Sequence, residues 1–347
     1  MLALRWCLTM PNEAAWAIER MPDSAAWSKN ELSQSKMKDL IDCSYKYWLL
    51  RKEKIKNRKV PSASLPMGTA FHNAVEVYHN SLRKGFEPDI DLIMDIVHST
   101  FHEEYNGHVS DSSMGYAKYE VPKDVPLDQI DGAMERAVKN VQFWVNEYIV
   151  AHQNGELPLM DRIEVGCEVD YRRFFPELGI YLRGKLDIVF NEKEIGDWKT
   201  MNQNKQWQFC TERADGEIQA DWYAAILLGD EEGEVVFHYV CVEKVPHPDY
   251  QKPPKLKKDG TPYANAAPYP RKPKVEVVST TRTQADVKNL MERVKLALLI
   301  SDMLNDHQDG FFVRNPKGSG YEYCTVMCDA KDECYKRLKA EREGAKA

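Results

Sequence analysis

Long apolar runs are missing from this chain: no stretch of its 347 residues approaches the roughly 18 apolar residues of a membrane-spanning helix. The first ten residues are mildly apolar but lack the basic start and the cleavage site of a secretory signal. With 43% hydrophobic residues and a mean hydropathy of −0.57, the composition is typical of a globular protein. We therefore expect a cytoplasmic location, in a prokaryote or in a phage-infected cell.

The chain also lacks a Gly-x-x-x-x-Gly-Lys-Ser/Thr element, the phosphate-binding loop of many ATPases. ATP-driven unwinding of a duplex would therefore have to come from a partner, such as a separate helicase or recombinase. Net positive charge is missing too, because 47 basic residues stand against 54 acidic ones. Since phosphate affinity comes from local basic patches, this balance counts only mildly against a nucleic-acid partner.

Two short apolar segments carry carboxylates. Residues 179–190 are rich in β-branched and apolar side chains around Asp187, and residues 194–197 run directly into Asp197-Trp198-Lys199. Each segment is predicted to be a strand, and alternation along the second places Asp197 and Lys199 on the same side. Carboxylate oxygens suit Mg²⁺ or Mn²⁺, so the pattern predicts a metal site for phosphodiester hydrolysis. Asp-x-Lys also arises by chance in a chain that is 29% charged.

Two predicted helices add polar side chains to these strands. Gly68 and His72 lead into a helical segment at residues 73–79, and Gln219 and Tyr223 lie on a helix from about residue 216 to residue 228. Residues four apart share one face of a helix, so Gln219 and Tyr223 are predicted to be neighbours. Taken alone, each segment is equally an ordinary helix with a packed or solvated polar edge.

The four motifs follow one another in the order known from the PD-(D/E)XK nuclease superfamily, which the chain resembles: Gly68-xxx-His72, Gly184-x-x-Asp187, Asp197-x-Lys199 and Gln219-xxx-Tyr223. Within that superfamily the chain looks like the RecB-type exonuclease branch, which includes CRISPR-associated adaptation nucleases and many phage exonucleases. The resemblance extends over residues 31–82 and 160–335. It implies a restriction-endonuclease-like α/β fold, in which a mixed sheet is flanked by helices.

The resemblance implies a chemical role for several positions. His72, Asp187 and Asp197 would bind the catalytic Mg²⁺ or Mn²⁺, with the carbonyl of Trp198 as a further ligand. Lys199 would be the catalytic lysine, acting together with those three side chains. The implied activity is that of a metal-dependent DNA nuclease, with an exonuclease acting on single strands or ends as the favoured form. A non-catalytic nucleic-acid-binding or scaffold subunit of a recombination or replication complex is the alternative.

Further residues are candidates for contact with DNA. The resemblance implies that Gln219 and Tyr223 lie on the DNA side of the site, and Glu168 is an additional acidic candidate on the preceding strand. A basic patch within residues 51–59 precedes the first motif and includes Arg51, Lys52 and Lys54. A second basic segment lies within the proline-rich residues 244–274, where tyrosines are interleaved. Basic residues mixed with aromatics suit single-stranded nucleic acid, although a solvated loop has the same composition.

The cysteines form a separate pattern near the C-terminus. Cys324, Cys328 and Cys334 lie within eleven residues, and soft thiolates select iron–sulfur clusters or zinc. In the branch that the chain resembles, an N-terminal cysteine joins three C-terminal ones around a 4Fe–4S cluster, and Cys43 matches that position. Cys7 is the competing fourth ligand. Zinc stays an alternative, because three residues rather than the usual two separate Cys324 from Cys328.

The periodicity of the chain predicts four regions. Residues 1–30 form an N-terminal extension without a clear pattern, and residues 31–155 form a helical region with the first motif and Cys43. Residues 156–310 form the nuclease core, in which residues 160–242 follow the order β-β-β-α-β and precede the basic loop 244–274. Residues 311–347 carry the C-terminal cysteines of the proposed cluster, so that a metal or cluster would clasp the C-terminus to the helical region.

The resemblance implies that a nuclease of this kind would act in recombination, repair or phage DNA processing.

Overall fold

The structure, a computed structural model, describes residues 18–21, 30–53, 55, 63–109, 127–201, 211–253, 269–306 and 331–344. Within these ranges the strands are β1 (Ile18–Arg20), β2 (Glu31–Leu32), β3 (Gly166–Phe175), β4 (Ile180–Asn191), β5 (Glu194–Met201), β6 (Glu234–Glu243) and β7 (Val275–Thr283). The helices are α1 (Gln34–Asp42), α2 (Ser44–Tyr47), α3 (Ser64–Arg83), α4 (Ile90–Val109), α5 (Leu127–Gln153), α6 (Thr211–Gly216), α7 (Ile218–Leu228), α8 (Gln284–Asp306) and α9 (Lys331–Gly344). None of the helices in these ranges is long and apolar enough to cross a membrane.

The strands form one mixed sheet in the order β1-β3-β4-β5-β6-β7, and β2 pairs with the start of β4. The β5–β6 and β2–β4 pairs are parallel, whereas the other pairs are antiparallel. Strand β6 is buried along almost its whole length, which explains why its sequence is a nearly continuous apolar run. This arrangement confirms the mixed α/β fold expected from the sequence.

Helices cover both faces of the sheet. On one face α1, α7 and α8 pack over a core that includes Leu186 and Trp222, and on the other face α3, α4 and α5 pack over Ile188 and Trp198. Along α5, residues at three- and four-residue steps face the core: Met134 is partly buried, and Ala137, Val141, Val145 and Tyr148 are buried. The functional residues therefore lie on elements fixed by two separate apolar cores.

The N-terminal region differs from its expected form. Residues 18–20 lie in the extension for which the sequence showed no pattern, yet they form β1 and pair antiparallel with β3 at the edge of the sheet. A three-residue strand is too short to produce a recognisable alternation, so its pairing depends on the neighbouring strand. Arg172 of β3 holds it there through an ion pair of 2.7 Å with Glu19.

Candidate active site

A gap between β4 and β5 provides the place for the site. The two strands pair only from Asn191 back to Ile188, which lies opposite Gly196, and beyond that point no further pairs form between them. The backbone N–H of Trp198 faces this gap and donates to the Asp187 carboxylate at 3.2 Å. A buried N–H without a strand partner is costly, and the Asp187 side chain satisfies it. Asp187 is thereby fixed where the sheet opens.

In the paired strands β3 and β4, the regular alternation of side chains between the two faces of the sheet is interrupted next to this gap. Leu186 and Ile188 are two residues apart but belong to the cores on opposite faces of the sheet, and the same holds for Cys167 and Val169 of β3. The residue between each pair is an acid, and one of them, Glu168, has a left-handed φ of 54°. A left-handed backbone is unfavourable for residues other than glycine and is typical of functional sites. Here it aims a second carboxylate towards Asp187.

Three potential metal ligands from three elements meet in front of the gap. One ligand atom each from His72 on α3, Glu168 on β3 and Asp187 on β4 lie within 4.8 Å of one another. Nδ1 of His72 is 3.0 Å from Oδ2 of Asp187 and 4.0 Å from Oε1 of Glu168. One imidazole and two carboxylates form a donor set suited to a hard divalent cation. Sequence patterns marked Glu168 only weakly, because its place depends on the local backbone.

Asp197 and Lys199 lie beside this trio and share a partner on α7. The Lys199 ammonium is 2.6 Å from Oδ2 of Asp197 and donates to Oε1 of Gln219 at 2.8 Å. Nε2 of Gln219 donates in turn to Oδ1 of Asp197 at 2.7 Å. Three residues predicted from sequence are thus joined in one ring of hydrogen bonds, which fixes the position of the ammonium group.

Tyr223, the second residue of the helix motif, is buried behind the site. Its hydroxyl donates to the carbonyl of Lys185 at 2.7 Å and lies 3.4 Å from Nε2 of Gln219. Its ring packs against β4 at Gly184, where a Cβ atom would be only 2.6 Å from the ring. The glycine of the second motif is thereby explained by close packing. Tyr223 supports Gln219 and β4 from beneath, and its place on the DNA side of the site stays a prediction.

Negative charge is concentrated at the trio. Burial alone would lower the pKa of His72, but the Asp187 carboxylate, helped by Asp197 and Glu168, raises it to about 9. The pKa of Asp187 is raised by its burial and by the neighbouring Asp197. Burial and the Asp187 charge also raise the pKa of Glu168, against the opposing effect of Lys185 at 2.6 Å. Carboxylates that raise one another's pKa in this way provide a favourable environment for a divalent cation.

The lysine of the site keeps its positive charge. Burial opposes the charged form, but Asp197 and Asp187 more than compensate, so that the pKa of Lys199 is raised. Lys199 is therefore a cation beside its two carboxylates.

A buried polar chain supports the site from the helical layer. The indole N–H of Trp198 donates to the hydroxyl of Tyr148 at 3.2 Å, and that hydroxyl is 2.7 Å from Nε2 of His79. Burial lowers the pKa of His79 to about 3, so the imidazole is neutral and its ring nitrogen is able to accept a hydrogen bond from the hydroxyl. No sequence motif marked Tyr148, since its partners lie on other elements.

The cysteines are described in part. Cys43 lies between α1 and α2, where its Sγ accepts from the backbone N–H of Lys46 at 3.4 Å. Cys43 and Cys334 both contact the small buried cluster of Tyr45 and Leu49. Arg337, one turn after Cys334, donates to Glu53 at 3.0 Å. The C-terminal helix therefore packs against the segment that follows Cys43, whereas Cys324 and Cys328 lie outside the described residues.

The structure describes the two basic segments predicted to contact nucleic acid to different extents. Lys54 and the side chains of Arg51 and Lys52 lie outside the described part of the chain. The end of the second segment is described, and its basic residues pair with acids: Arg271 with Glu243, Lys272 with Glu147 and Lys274 with Glu276. These three cations are therefore engaged within the protein and are less available to a phosphate backbone.

The site and fold agree with the family comparison. The sequence model of the PD-(D/E)XK nuclease superfamily matches residues 31–335, and the chain belongs to this superfamily. The matched range includes every motif residue described above.

Individual relatives are more distant. The "Gene 69 protein" of Mycobacterium phage L5 is 29% identical over 136 residues, which cover 39% of this chain and 36% of that protein. The match thus spans about a third of the length of that relative. The crystal structure of a "Putative exonuclease" from Eubacterium rectale is similar with a TM-score of 0.42 and 12% sequence identity, covering 83% of this chain and 86% of that one.

Proposed function

We propose that this protein is a Mg²⁺- or Mn²⁺-dependent deoxyribonuclease that hydrolyses phosphodiester bonds, and that it acts as an exonuclease on single strands or DNA ends. The observation that carries the proposal is the convergence of His72, Glu168 and Asp187 beside the Asp197–Lys199 pair. Membership of the PD-(D/E)XK superfamily supports the same reaction class. Recombination, repair or the processing of phage DNA is the proposed setting.

The residues present fit a divalent metal ion. Asp187 and Glu168 offer carboxylate oxygens, His72 offers a nitrogen, and Asp197 with the Trp198 carbonyl completes the set of candidate ligands. Burial and the neighbouring Asp197 raise the pKa of Asp187, and burial and Asp187 raise the pKa of Glu168, so a divalent cation would stabilise the charged form of both carboxylates. When bound there, Mg²⁺ or Mn²⁺ would supply charge stabilisation for the phosphoryl group and a lower pKa for water.

Lys199 has the position and charge to act on the reacting phosphate. Its ammonium is held by Asp197 and Gln219, so it is presented in a fixed orientation at the mouth of the gap. A fixed cation in a site with little water stabilises negative charge that develops on phosphate oxygens, and it orients an attacking water. Gln219 keeps Asp197 and Lys199 together, and we propose that it acts through them.

The cysteines suit a separate, structural role. We propose that Cys43, Cys324, Cys328 and Cys334 hold a 4Fe–4S cluster, with zinc as the alternative. The shared cluster of Tyr45 and Leu49 supports this, because it brings Cys43 and Cys334 to one place although they are far apart in sequence. A metal centre at that place would close a loop that spans nearly the whole core, and it would restrict the unfolded chain.

The deciding experiment uses end-labelled single- and double-stranded DNA with anaerobically purified protein, in Mg²⁺, Mn²⁺ or EDTA. Cleavage is expected with either metal and not with EDTA. Asp187→Asn and Asp197→Asn should each lose at least about 100-fold in rate, since each removes charge at the reacting centre. Asp249→Asn changes an exposed carboxylate outside the site and is the matched control.

The pattern of products distinguishes the candidate functions. Short products released progressively from one end would support the exonuclease. If folded wild-type protein with its full metal content binds DNA but cleaves none in either metal, the nuclease proposal is wrong and the non-catalytic binding subunit is favoured. Equal cleavage by wild type and Asp197→Asn would remove Asp197 from the mechanism.

A further inference from the structure

A cleft lies on the far side of α7 from the sheet, where α1, the end of α6 and α8 meet. Its volume is about 470 Å³, within the range of about 300–1,000 Å³ that is common for small-ligand sites. The residues that line it come from all four helices and the short turn between α6 and α7: Lys38, Ile41, Asp42, Gly216, Glu217, Ile218, Arg293 and Leu296.

The cleft shares a wall with the active site. Glu217 and Ile218 line the cleft, and Gln219, the next residue, binds both Asp197 and Lys199. The first turn of α7 therefore has the candidate catalytic residues on one side and the cleft on the other. Glu217 of the cleft also acts electrostatically on Lys199, so the cleft and the candidate catalytic lysine are neighbours.

The chemistry of the lining suits one nucleotide unit. Ile41, Ile218 and Leu296 provide an apolar surface for a base or a sugar. Lys38 and Arg293 are exposed at the cleft, and neither forms a salt bridge within the described ranges. This differs from the second basic segment, in which Arg271, Lys272 and Lys274 are all paired with acids. Arg293 interacts electrostatically with Asp221, but an exposed cation outside a salt bridge is still available to phosphate.

The two acids at the cleft are compatible with this occupant. Asp42 and Glu217 are partly buried, whereas Lys38 and Arg293 are exposed to solvent. Carboxylates accept hydrogen bonds from the amino groups of bases and from sugar hydroxyls, but they repel a phosphate. The lining therefore favours one orientation, with the phosphate at the exposed cations and the nucleoside towards the interior.

We infer that this cleft binds a nucleotide of the DNA strand adjacent to the scissile bond, with Lys38 and Arg293 contacting its phosphate. The inference rests on the proposed nuclease function and adds a substrate subsite to it. It makes the groove between α1 and α8 part of the path of the strand. The subsite contributes affinity and register for the strand and takes no part in the chemistry.

The test measures both binding and turnover of single-stranded oligonucleotides by the full chain. Lys38→Ala and Arg293→Ala are each expected to raise Kd and KM by roughly 3- to 10-fold while kcat changes less than about 2-fold. Each should also reduce the slope of log K against log salt by about 0.7, the value for one contact to a single strand. Lys295→Ala is the matched control, because Lys295 is also exposed on α8 but pairs with Glu292 at 2.7 Å.

A second variant tests the cleft without changing its charge. Gly216 lines the cleft, and a Cβ atom built there has no heavy atom within 4 Å, so Gly216→Phe fills space without displacing the core. It should raise KM for DNA as the charge variants do. A thermal melt that matches wild type shows that the fold is kept.

Three outcomes would overturn the inference. The first is that wild-type protein binds and cleaves DNA and that the double variant Lys38→Ala/Arg293→Ala has the same Kd and the same salt slope as wild type. Another is a variant that weakens competition by free thymidine 5′-monophosphate but leaves DNA binding unchanged, which would assign the cleft to free nucleotide. The third is wild-type protein that neither binds nor cleaves DNA, in which case the proposed function fails first and the subsite fails with it.

Discussion

The indole N–H of Trp198 donates to the hydroxyl of Tyr148, so a residue at the centre of the candidate site is held by α5, a helix of the layer against which its side chain packs. The same tyrosine contacts His79 at 2.7 Å. Trp198 also donates its backbone N–H to Asp187. The orientation of the Asp187 carboxylate therefore depends on packing within the helical layer as well as on β4.

Tyr148→Phe should destabilise the protein and weaken its metal site. The change leaves the indole N–H of Trp198 and the ring nitrogen of His79 without their partner, and a buried unsatisfied group costs about 1–3 kcal/mol. Urea unfolding measures the loss of stability, and calorimetric titration with Mn²⁺ measures the affinity. Tyr105→Phe, a buried tyrosine of the same core, is the control and should change stability by less than about 0.5 kcal/mol. Equal effects of the two changes would show that the polar chain has no special role.

His79 makes stability depend on pH in the acid range. Its pKa is lowered from 6.5 to about 3 in the folded protein, so between these values the unfolded chain binds a proton that the folded chain does not. Stability from this group is fully present above pH 6.5 and is lost as the pH falls, by about 1.4 kcal/mol per pH unit. Unfolding free energies of wild type and His79→Gln at pH 7, 6 and 5 measure the difference in slope. Parallel curves for the two proteins would contradict the prediction.

Gly184→Ala should disturb the site through Tyr223. The new Cβ would lie 2.6 Å from Cε1 of the tyrosine ring, which is fixed by the bond of its hydroxyl to Lys185. Overpacking of this kind costs about 1–3 kcal/mol, and the shift of α7 should move Gln219 and lower the cleavage rate. Thermal melts and rate measurements test both effects.

Gly68→Ala is the matched control for that change. A Cβ at Gly68 would have no neighbour within 4 Å, and the residue lies inside α3. Alanine is favoured over glycine within a helix by about 0.5–1 kcal/mol, so stability should rise. If Gly68→Ala lowered stability and Gly184→Ala did not, close packing at Gly184 would not be the reason for its glycine.

Removal of single cysteines should separate the proposed cluster from ordinary buried thiols. Cys43→Ala and Cys334→Ala are expected to lower bound iron and labile sulfide, or bound zinc, by more than half and to destabilise the chain. Cys241→Ala removes a thiol from the core of the sheet, so metal content should not change. Metal analysis of anaerobically purified protein gives the answer, and unchanged content in all three variants would rule out Cys43 and Cys334 as ligands.

The sequence was most informative where a regular period extends over many residues. Strand β4 was predicted near its observed bounds, and a helix was predicted around residues 73–79, within the longer α3, because alternation and helical spacing are local properties. The hydrogen-bonded ring of Asp197, Lys199 and Gln219 joins residues that the sequence motifs had already assigned to one site, since the spacing within those motifs is fixed. These features needed no knowledge of how distant segments pack.

Other parts of the site depend on tertiary structure. Glu168 reaches His72 through a left-handed φ, which no local pattern of non-glycine residues predicts. Tyr148 and His79 carry no sequence signal of their partnership, because they lie on different helices and meet only across the packed layer. The ion pair of Arg271 with Glu243 likewise follows from the fold. The composition of the basic segment that contains Arg271 had suggested contact with nucleic acid instead.

The early separation of β4 from β5 leaves the amide proton of Trp198 with a carboxylate as its partner instead of a strand carbonyl. Its chemical shift and exchange rate are therefore sensitive to the charge and occupancy of Asp187. One backbone resonance, far from any introduced label, becomes a spectroscopic reporter of the site. It allows loading with a cation, a change of protonation or the arrival of a substrate to be followed in the unmodified protein.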